Sequence, residues 1–152
     1  MKKRPSRKST SRAAKADRIL VVDDDKGIRE IVASMLTTAG YRCRAVPGGR
    51  HALKLLASGH KFDLITSDIC NEPMNGLSLL EELTRKYPDI PVLMITAGYL
   101  LEAMRSGAYG YLLKPFEREQ LYFAVQRARE YCRLKAENRA LRAKLARLAG
   151  KG

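Results

Sequence analysis

Lys61-Phe-Asp-Leu-Ile-Thr-Ser-Asp-Ile-Cys-Asn-Glu-Pro-Met-Asn-Gly76 is the stretch on which the fold turns. Its first half, Phe62 to Ser67, is a short apolar run with β-branched residues, and it reads as a buried strand. The run stops on a carboxylate, Asp68, and the chain then enters a loop marked by Asn71, Pro73, Asn75 and Gly76. An acid at the carboxyl end of a core strand, facing a loop, is where open α/β sheets place their chemistry.

Outward from this stretch the pattern alternates between strand and helix. Ile19–Val22 reads as a strand, and Ile28, Ile31, Val32, Met35 and Leu36 form a helical stripe. Tyr41–Val46 is a second strand, followed by a helix on Ala52, Leu53, Leu55 and Leu56 that Ser58-Gly59 ends. After the Phe62–Ser67 strand, Leu77, Leu79, Leu80 and Leu83 give a third helix that stops before Pro88. Val92–Thr96 is the fourth strand, Leu100–Ser106 a short helix, and Tyr109–Leu113 the fifth strand. A long helix begins after Pro115. Five strands alternating with five helices predict an α/β fold, a doubly wound parallel sheet covered on both faces.

Charge divides the chain differently. The 152 residues carry a formal +13, but Met1–Arg18 holds eight Lys/Arg against one acid and Gln126–Gly152 nine against two. That leaves twelve basic and thirteen acidic residues in Ile19–Val125, a nearly neutral middle. The expected organisation is a basic disordered tail over 1–17, a folded domain over 18–129, a coiled-coil-like helix over 130–149 and a short tail over 150–152. Cys43, Cys70 and Cys132 form no CxxC pair, which argues against a disulfide framework or structural zinc and fits a reducing cytoplasm. No run is long and apolar enough to span a bilayer.

The final helix outruns the domain. Leu134, Leu141 and Leu148 recur every seventh residue, with Tyr131, Asn138 and Leu145 in the alternate layer. Glu130 with Lys135, and Glu137 with Arg142, sit at the flanking positions with opposite sign. The pattern predicts a possible homodimer through Leu134, Asn138, Leu141, Leu145 and Leu148.

Asp23, Asp24 and Asp25 follow the first strand directly. Asp25 suits the N-cap of the next helix. Two adjacent carboxylates about 4 Å apart repel by roughly 4 kcal/mol at an effective dielectric of 20, a cost that a divalent cation turns into binding. With the first strand beside the third, Asp23, Asp24 and Asp68 converge on a hard-oxygen site suited to Mg²⁺. His51 and His60 lie in or near the second helix, away from this end. Thr96 and Lys114 close the fourth and fifth strands and reach the same face. Nucleophile, metal, hydroxyl donor and fixed cation are what phosphoryl transfer to a carboxylate requires.

These residues resemble a known family, the receiver domain of two-component response regulators. The matching segments are Ile19-Leu-Val-Val-Asp-Asp-Asp25, Asp68, Ile95-Thr-Ala97 and Tyr109-Gly-Tyr-Leu-Leu-Lys-Pro-Phe116, and the resemblance covers Arg18 to about Arg129. It implies a flavodoxin-like fold, a five-stranded parallel sheet in the order 2-1-3-4-5, and a phosphoryl group received from a sensor histidine kinase, a phosphotransfer protein or a small phosphodonor. Asp68 would be the phosphoacceptor. Asp23, Asp24, Asp68 and the backbone carbonyl of Cys70 would hold Mg²⁺. Lys114, before a cis Pro115, would pair with the phosphoryl oxygens, with Thr96 and Tyr111 as the switch pair. Signalling would come from a shift of the face made by the fourth helix, fifth strand and fifth helix. No catalytic residues beyond these are implied, and the chain would not be an enzyme beyond slow self-dephosphorylation.

Two features depart from the family pattern. Proline falls one place late in Asn71-Glu-Pro-Met74, and the Thr96–Lys114 segment is shorter than usual by ~4 residues, about one helical turn. The C-terminal helix resembles the linker that joins receivers to enhancer-binding transcriptional activators. One rival is a haloacid-dehalogenase-type phosphohydrolase using Asp23 and Asp25 as its D-x-D motif, but no acidic pair follows Lys114. A nucleotide-binding domain would need a Gly-rich loop after the first strand, which is missing. Nucleic-acid binding through the basic ends is the other alternative. It is not favoured, because those residues carry no base-reading arrangement.

Overall fold

The computed structural model describes residues 17–68, 76–97 and 108–151. The basic N-terminal tail, the loop bearing Cys70 and Pro73, and the expected helix at Leu100–Ser106 lie outside the described residues. Elements run β1 (Arg18–Val22), α1 (Lys26–Thr38), β2 (Arg42–Val46), α2 (Gly49–Ala57), β3 (Leu64–Ser67), α3 (Gly76–Lys86), β4 (Val92–Thr96), β5 (Gly110–Leu113) and α4 (Arg118–Lys151). All strand pairs are parallel, and the order is β2-β1-β3-β4-β5.

The period-two alternation of the strands sorts the core into two layers. Leu20, Val22, Ile65 and Met94 point to one face, where Ala52 and Leu56 of α2 and Leu79, Leu80 and Leu83 of α3 cover them. Ile19, Val21, Leu64, Leu93 and Ile95 point to the other, under Val32 and Leu36 of α1 and Leu121, Val125 and Ala128 of α4. Burying each such side chain fully stabilises the fold by about 1.5–3 kcal/mol, which is why β1, β3 and β4 carry almost unbroken apolar runs.

Local signals set the ends. Asp25 caps α1, its Oδ1 accepting the Ile28 amide at 3.1 Å, and Gly59 leaves α2 at φ 100°, a left-handed turn that a side chain disfavours. Phe62 is buried but stands before β3, which begins at Leu64.

α4 is the outlier. Its 34 residues make a rod about 51 Å long. Its first three turns bury Leu121, Val125 and Ala128, and every described residue after Cys132 is exposed. The rod is anchored at the amino ends of the strands. Arg129 donates from Nε to Asp17, and from its second amino group to Asp17 Oδ1 at 3.1 Å, with Asp63 4.0 Å away. Further along, Arg139 pairs with Asp89 at 3.1 Å, the Cys132 thiol donates to the Asp89 carbonyl, and the Tyr131 ring lies 5.0 Å from that of Tyr109. No helix among the described residues is long and apolar enough to cross a membrane.

Candidate functional site

The site lies at the carboxyl end of the sheet, where β1 and β3 stop together. Val22 pairs with Ser67, so the next residue on each strand, Asp23 and Asp68, leaves the sheet at the same level. Backbone bonds hold both in place. The Asp68 amide donates to Val22 O at 3.3 Å, and the Asp23 amide donates across to Val46 O on β2 at 3.2 Å. The turn is tightened further, as Asp23 Oδ1 accepts the Asp25 amide at 2.9 Å and the Arg29 guanidinium donates to the Asp23 carbonyl at 2.8 Å.

Asp23, Asp24 and Asp68 can each present a carboxylate oxygen within 4.8 Å of the others. Asp23 is buried, Asp68 half-buried and Asp24 exposed, so the cluster opens to solvent on one side. Asp25 is turned away by its capping role. The acids are thus Asp23 and Asp24 with Asp68, not a D-x-D pair of Asp23 and Asp25. Three convergent carboxylates, with no soft ligand among them, form a donor set that fits a hard divalent cation such as Mg²⁺.

Lys114 enters from β5. Its Nζ donates to Asp68 Oδ2 at 2.9 Å and stands 3.6 Å from Asp23 Oδ2. The Lys114 amide donates to Thr96 O at 2.9 Å, which ties the ends of β4 and β5, and the following peptide bond to Pro115 is cis. Thr96 is buried at the end of β4. Tyr111 pairs with Met94 in the ladder and is 40 % exposed, on the face opposite Leu112, which joins the core beneath α4. Cys70 lies outside the described residues.

The electrostatics follow from crowding. Burial raises the Asp23 carboxyl above its ordinary range, opposed by the Asp25 amide and the Lys114 ammonium but reinforced by Asp68 and Asp24. For Lys114, burial works to lower the pKa. The bond to Asp68 and attraction to Asp23 outweigh it, and the net shift is upward. The Lys114 ammonium thus faces Asp68 and Asp23, with the Asp24 carboxylate close by, and a divalent cation would relieve the mutual repulsion of the three acids.

Sequence reasoning left out Arg29, whose guanidinium braces the acidic turn from one helical turn into α1. Nothing in the α1 pattern separates it from a solvated arginine. The histidines stand as expected: His51 and His60 are exposed on and just after α2.

Comparison with known proteins agrees with this geometry. The family model for the response regulator receiver domain matches residues 19–126. An NtrX-like response regulator of Rickettsia bellii is 35% identical over 133 residues, covering 84% of this chain and 28% of that protein. The crystal structure of NtrX from Brucella abortus superposes with a TM-score of 0.77 at 35% identity, over 84% of this chain and 29% of the other. The chemotaxis response regulator CheY4 of Vibrio cholerae matches with a TM-score of 0.69 at 34% identity, over 74% of this chain and 98% of its own. The chain thus spans less than a third of the length of the NtrX relatives and matches CheY4 nearly whole. These matches lend the phosphohydrolase reading no support. On the sheet order, the acidic strand ends and the span of the family match together, the chain belongs to the response regulator receiver domain family.

Proposed function

We propose that Asp68 is the phosphoacceptor of a two-component phosphorelay and that Asp23, Asp24, Lys114, Thr96 and Tyr111 serve it. The observation that carries this reading is the Lys114 ammonium, 2.9 Å from Asp68 and 3.6 Å from Asp23 at the mouth of the sheet. A carboxylate held beside one fixed cation and two further acids is ready to react once the excess negative charge is met.

The donor is a phosphohistidine on a sensor kinase or phosphotransfer protein, or a small acyl phosphate. One Asp68 oxygen attacks phosphorus in line. The bond from phosphorus to the donor nitrogen or oxygen breaks, its electron pair leaves with the donor, and the imidazole takes a proton from solvent. The product is an aspartyl phosphate, a mixed anhydride. Lys114 exchanges its bond to the carboxylate for one to an equatorial phosphoryl oxygen. Asp23, Asp24 and Asp68 would hold Mg²⁺, to which the family resemblance adds the backbone carbonyl of Cys70. When bound, the ion supplies the positive charge that lets a phosphoryl group approach three carboxylates.

Phosphorylation adds about −1.5 to −2 charge and strong acceptor oxygens. The Thr96 hydroxyl moves toward them, and the half-exposed Tyr111 ring follows it from the outer face of β5. The result is a population shift between two packings of the β4–β5 edge and α4, the surface that signals. The anhydride hydrolyses slowly without further catalytic residues, so the chain is a switch with its own decay, not a turnover enzyme.

Intact-mass measurement after incubation with acetyl phosphate and Mg²⁺ tests this. Wild type gains one phosphoryl group, while Asp68→Asn and chelated wild type gain none. Equal labelling of Asp68→Asn would overturn the proposal.

A further inference from the structure

We infer that the exposed stem of α4, from Tyr131 to Leu148, lies along an anionic lipid surface with its apolar side against the bilayer. Five of the nine exposed large apolar residues among the described residues fall on this stretch: Tyr131, Leu134, Leu141, Leu145 and Leu148, each between 48% and 65% exposed. By the helical repeat they share one side of the stem over about 25 Å. A continuous stripe of that length exceeds the scattered apolar side chains of an ordinary surface, and it calls for a cover.

The domain does not supply one. Cys132 and Arg139, which tie the stem to Asp89, lie more than a quarter-turn round the helix from the stripe. The side of α4 that the core does take, Leu121, Val125 and Ala128, ends before the stem begins.

Charge selects the occupant. Glu130–Gly150 holds six Lys/Arg against two acids. Both acids are already met within the stem, Glu130 and Glu137 lying 3.2 and 3.9 Å from Arg133. Lys135 and Arg142 border the stripe on one side and Lys144 on the other, all three exposed. A second copy of the helix brings the same excess of positive charge, so close pairing sets cations near cations. An anionic surface turns that repulsion into attraction. Nucleic acid would meet the cations but leave the leucines in water, because a phosphate backbone offers them no apolar bed. A bilayer surface satisfies both. The leucines enter the boundary of the acyl chains, while Lys and Arg lay their methylene stems along it and keep their charged ends among the headgroups. Tyr131, with the Lys135 ammonium 5.7 Å over its ring, suits the same boundary, ring buried and hydroxyl wet. The stem lies on the surface and does not cross it.

The fold adds an orientation. Arg129, at the base of the stem, holds Asp17, so the basic segment Met1–Arg18, with eight Lys/Arg against one acid, joins the domain beside the stem. Both basic ends of the chain thus start from the amino end of the sheet. Asp23, Asp24 and Asp68 sit at the carboxyl end, which an anionic surface repels. The acidic mouth therefore faces away from the lipid.

Co-sedimentation of the full chain with vesicles tests the inference. The chain binds vesicles of equal parts phosphatidylglycerol and phosphatidylcholine, and binds pure phosphatidylcholine about 100-fold more weakly. Leu141→Gln with Leu145→Gln, which leaves the charge unchanged, weakens binding to the mixed vesicles by about 30-fold. Both leucines are exposed, and an unchanged urea midpoint verifies that the variant is folded. The chain has no tryptophan, so Leu145→Trp reports alone: its emission moves to the blue with the mixed vesicles and is quenched by brominated acyl chains. Failure of wild type to sediment with the mixed vesicles overturns the inference, and duplex DNA binding in its place assigns the cations to nucleic acid. Binding that the double glutamine variant retains in full also overturns it, since charge alone then makes the contact. A dimer whose tryptophan emission ignores the vesicles overturns it as well and assigns the stripe to a second copy.

Discussion

The two ends of the sheet carry ion clusters built from the same kinds of side chain, and they differ in burial. At the carboxyl end one ammonium, Lys114, faces Asp23, Asp24 and Asp68, and both of its ion-pair partners are largely buried, with 5% and 13% of their side chains exposed. At the amino end the Arg129 guanidinium grips Asp17 beside Asp63, and Arg139 meets Asp89 one to one at 58% and 72% exposure. The first cluster gathers carboxylates from two strands at the open end of the sheet, where a ligand can reach them; the second lies on the flank of α4 and serves to fasten it. Composition alone does not distinguish a reactive site from an anchor. Burial, and place at the carboxyl or the amino end of the strands, does.

Removing the Lys114 ammonium from the carboxyl end should have the largest effect. Lys114→Ala loses a charge-assisted bond to the phosphoryl group worth about 1.5–3 kcal/mol, so labelling by acetyl phosphate should slow by about 10- to 100-fold. A rate within a factor of two of wild type would mean that Lys114 only neutralises the resting acids.

The anchor should respond in stability instead. Arg129→Ala leaves Asp17 and Asp63 without their shared partner, and partial solvation limits the cost to about 1–2 kcal/mol in urea unfolding, with labelling unchanged. A comparable loss of labelling would break the separation of the two ends.

Asp23→Asn should sharpen the contrast by acting with the opposite sign. Burial raises the Asp23 pKa, so the folded state holds this proton more tightly than the unfolded chain. Its contribution to stability therefore falls as pH rises above the unfolded value of 3.8 and on through the folded pKa. The amide keeps the Oδ1 acceptor for the Asp25 amide and escapes that fall. Without divalent ion at neutral pH the variant should be more stable than wild type, and Mg²⁺ should stabilise it less. Equal stability of the two proteins across the pH range would contradict the account of a crowded acidic end.

The smallest effect belongs to Arg139→Ala, whose exposed pair with Asp89 is worth at most about 0.5 kcal/mol. A larger loss would mean that the stem is held more firmly than its exposure implies.

The sheet was legible in the sequence because its central strands, β1, β3 and β4, are buried on both faces, and apolar runs ending on Asp, Thr and Lys mark both the element and its direction. Asp25 was readable as a cap from its position alone. Boundaries were less so: Phe62 looks like strand because it is buried, yet backbone pairing starts at Leu64, and hydropathy reports burial but not pairing. The clamp from Arg129 to Asp17 spans 112 residues, and the brace from Arg29 to the Asp23 carbonyl has no spacing rule, so neither leaves a local pattern. The packing of Tyr131 on Tyr109 was equally hidden, since a seam position and a core contact look alike in a heptad.

The central claim is that one carboxylate, Asp68, and neither of its acidic neighbours, becomes phosphorylated. Labelling with acetyl phosphate and Mg²⁺, trapping with borohydride, and peptide sequencing by tandem mass spectrometry test it directly, because borohydride reduces an aspartyl phosphate to homoserine with release of phosphate. The account predicts homoserine at position 68 alone. Homoserine at position 23 or 24, or at no position in a chain that has taken up phosphate, would contradict it.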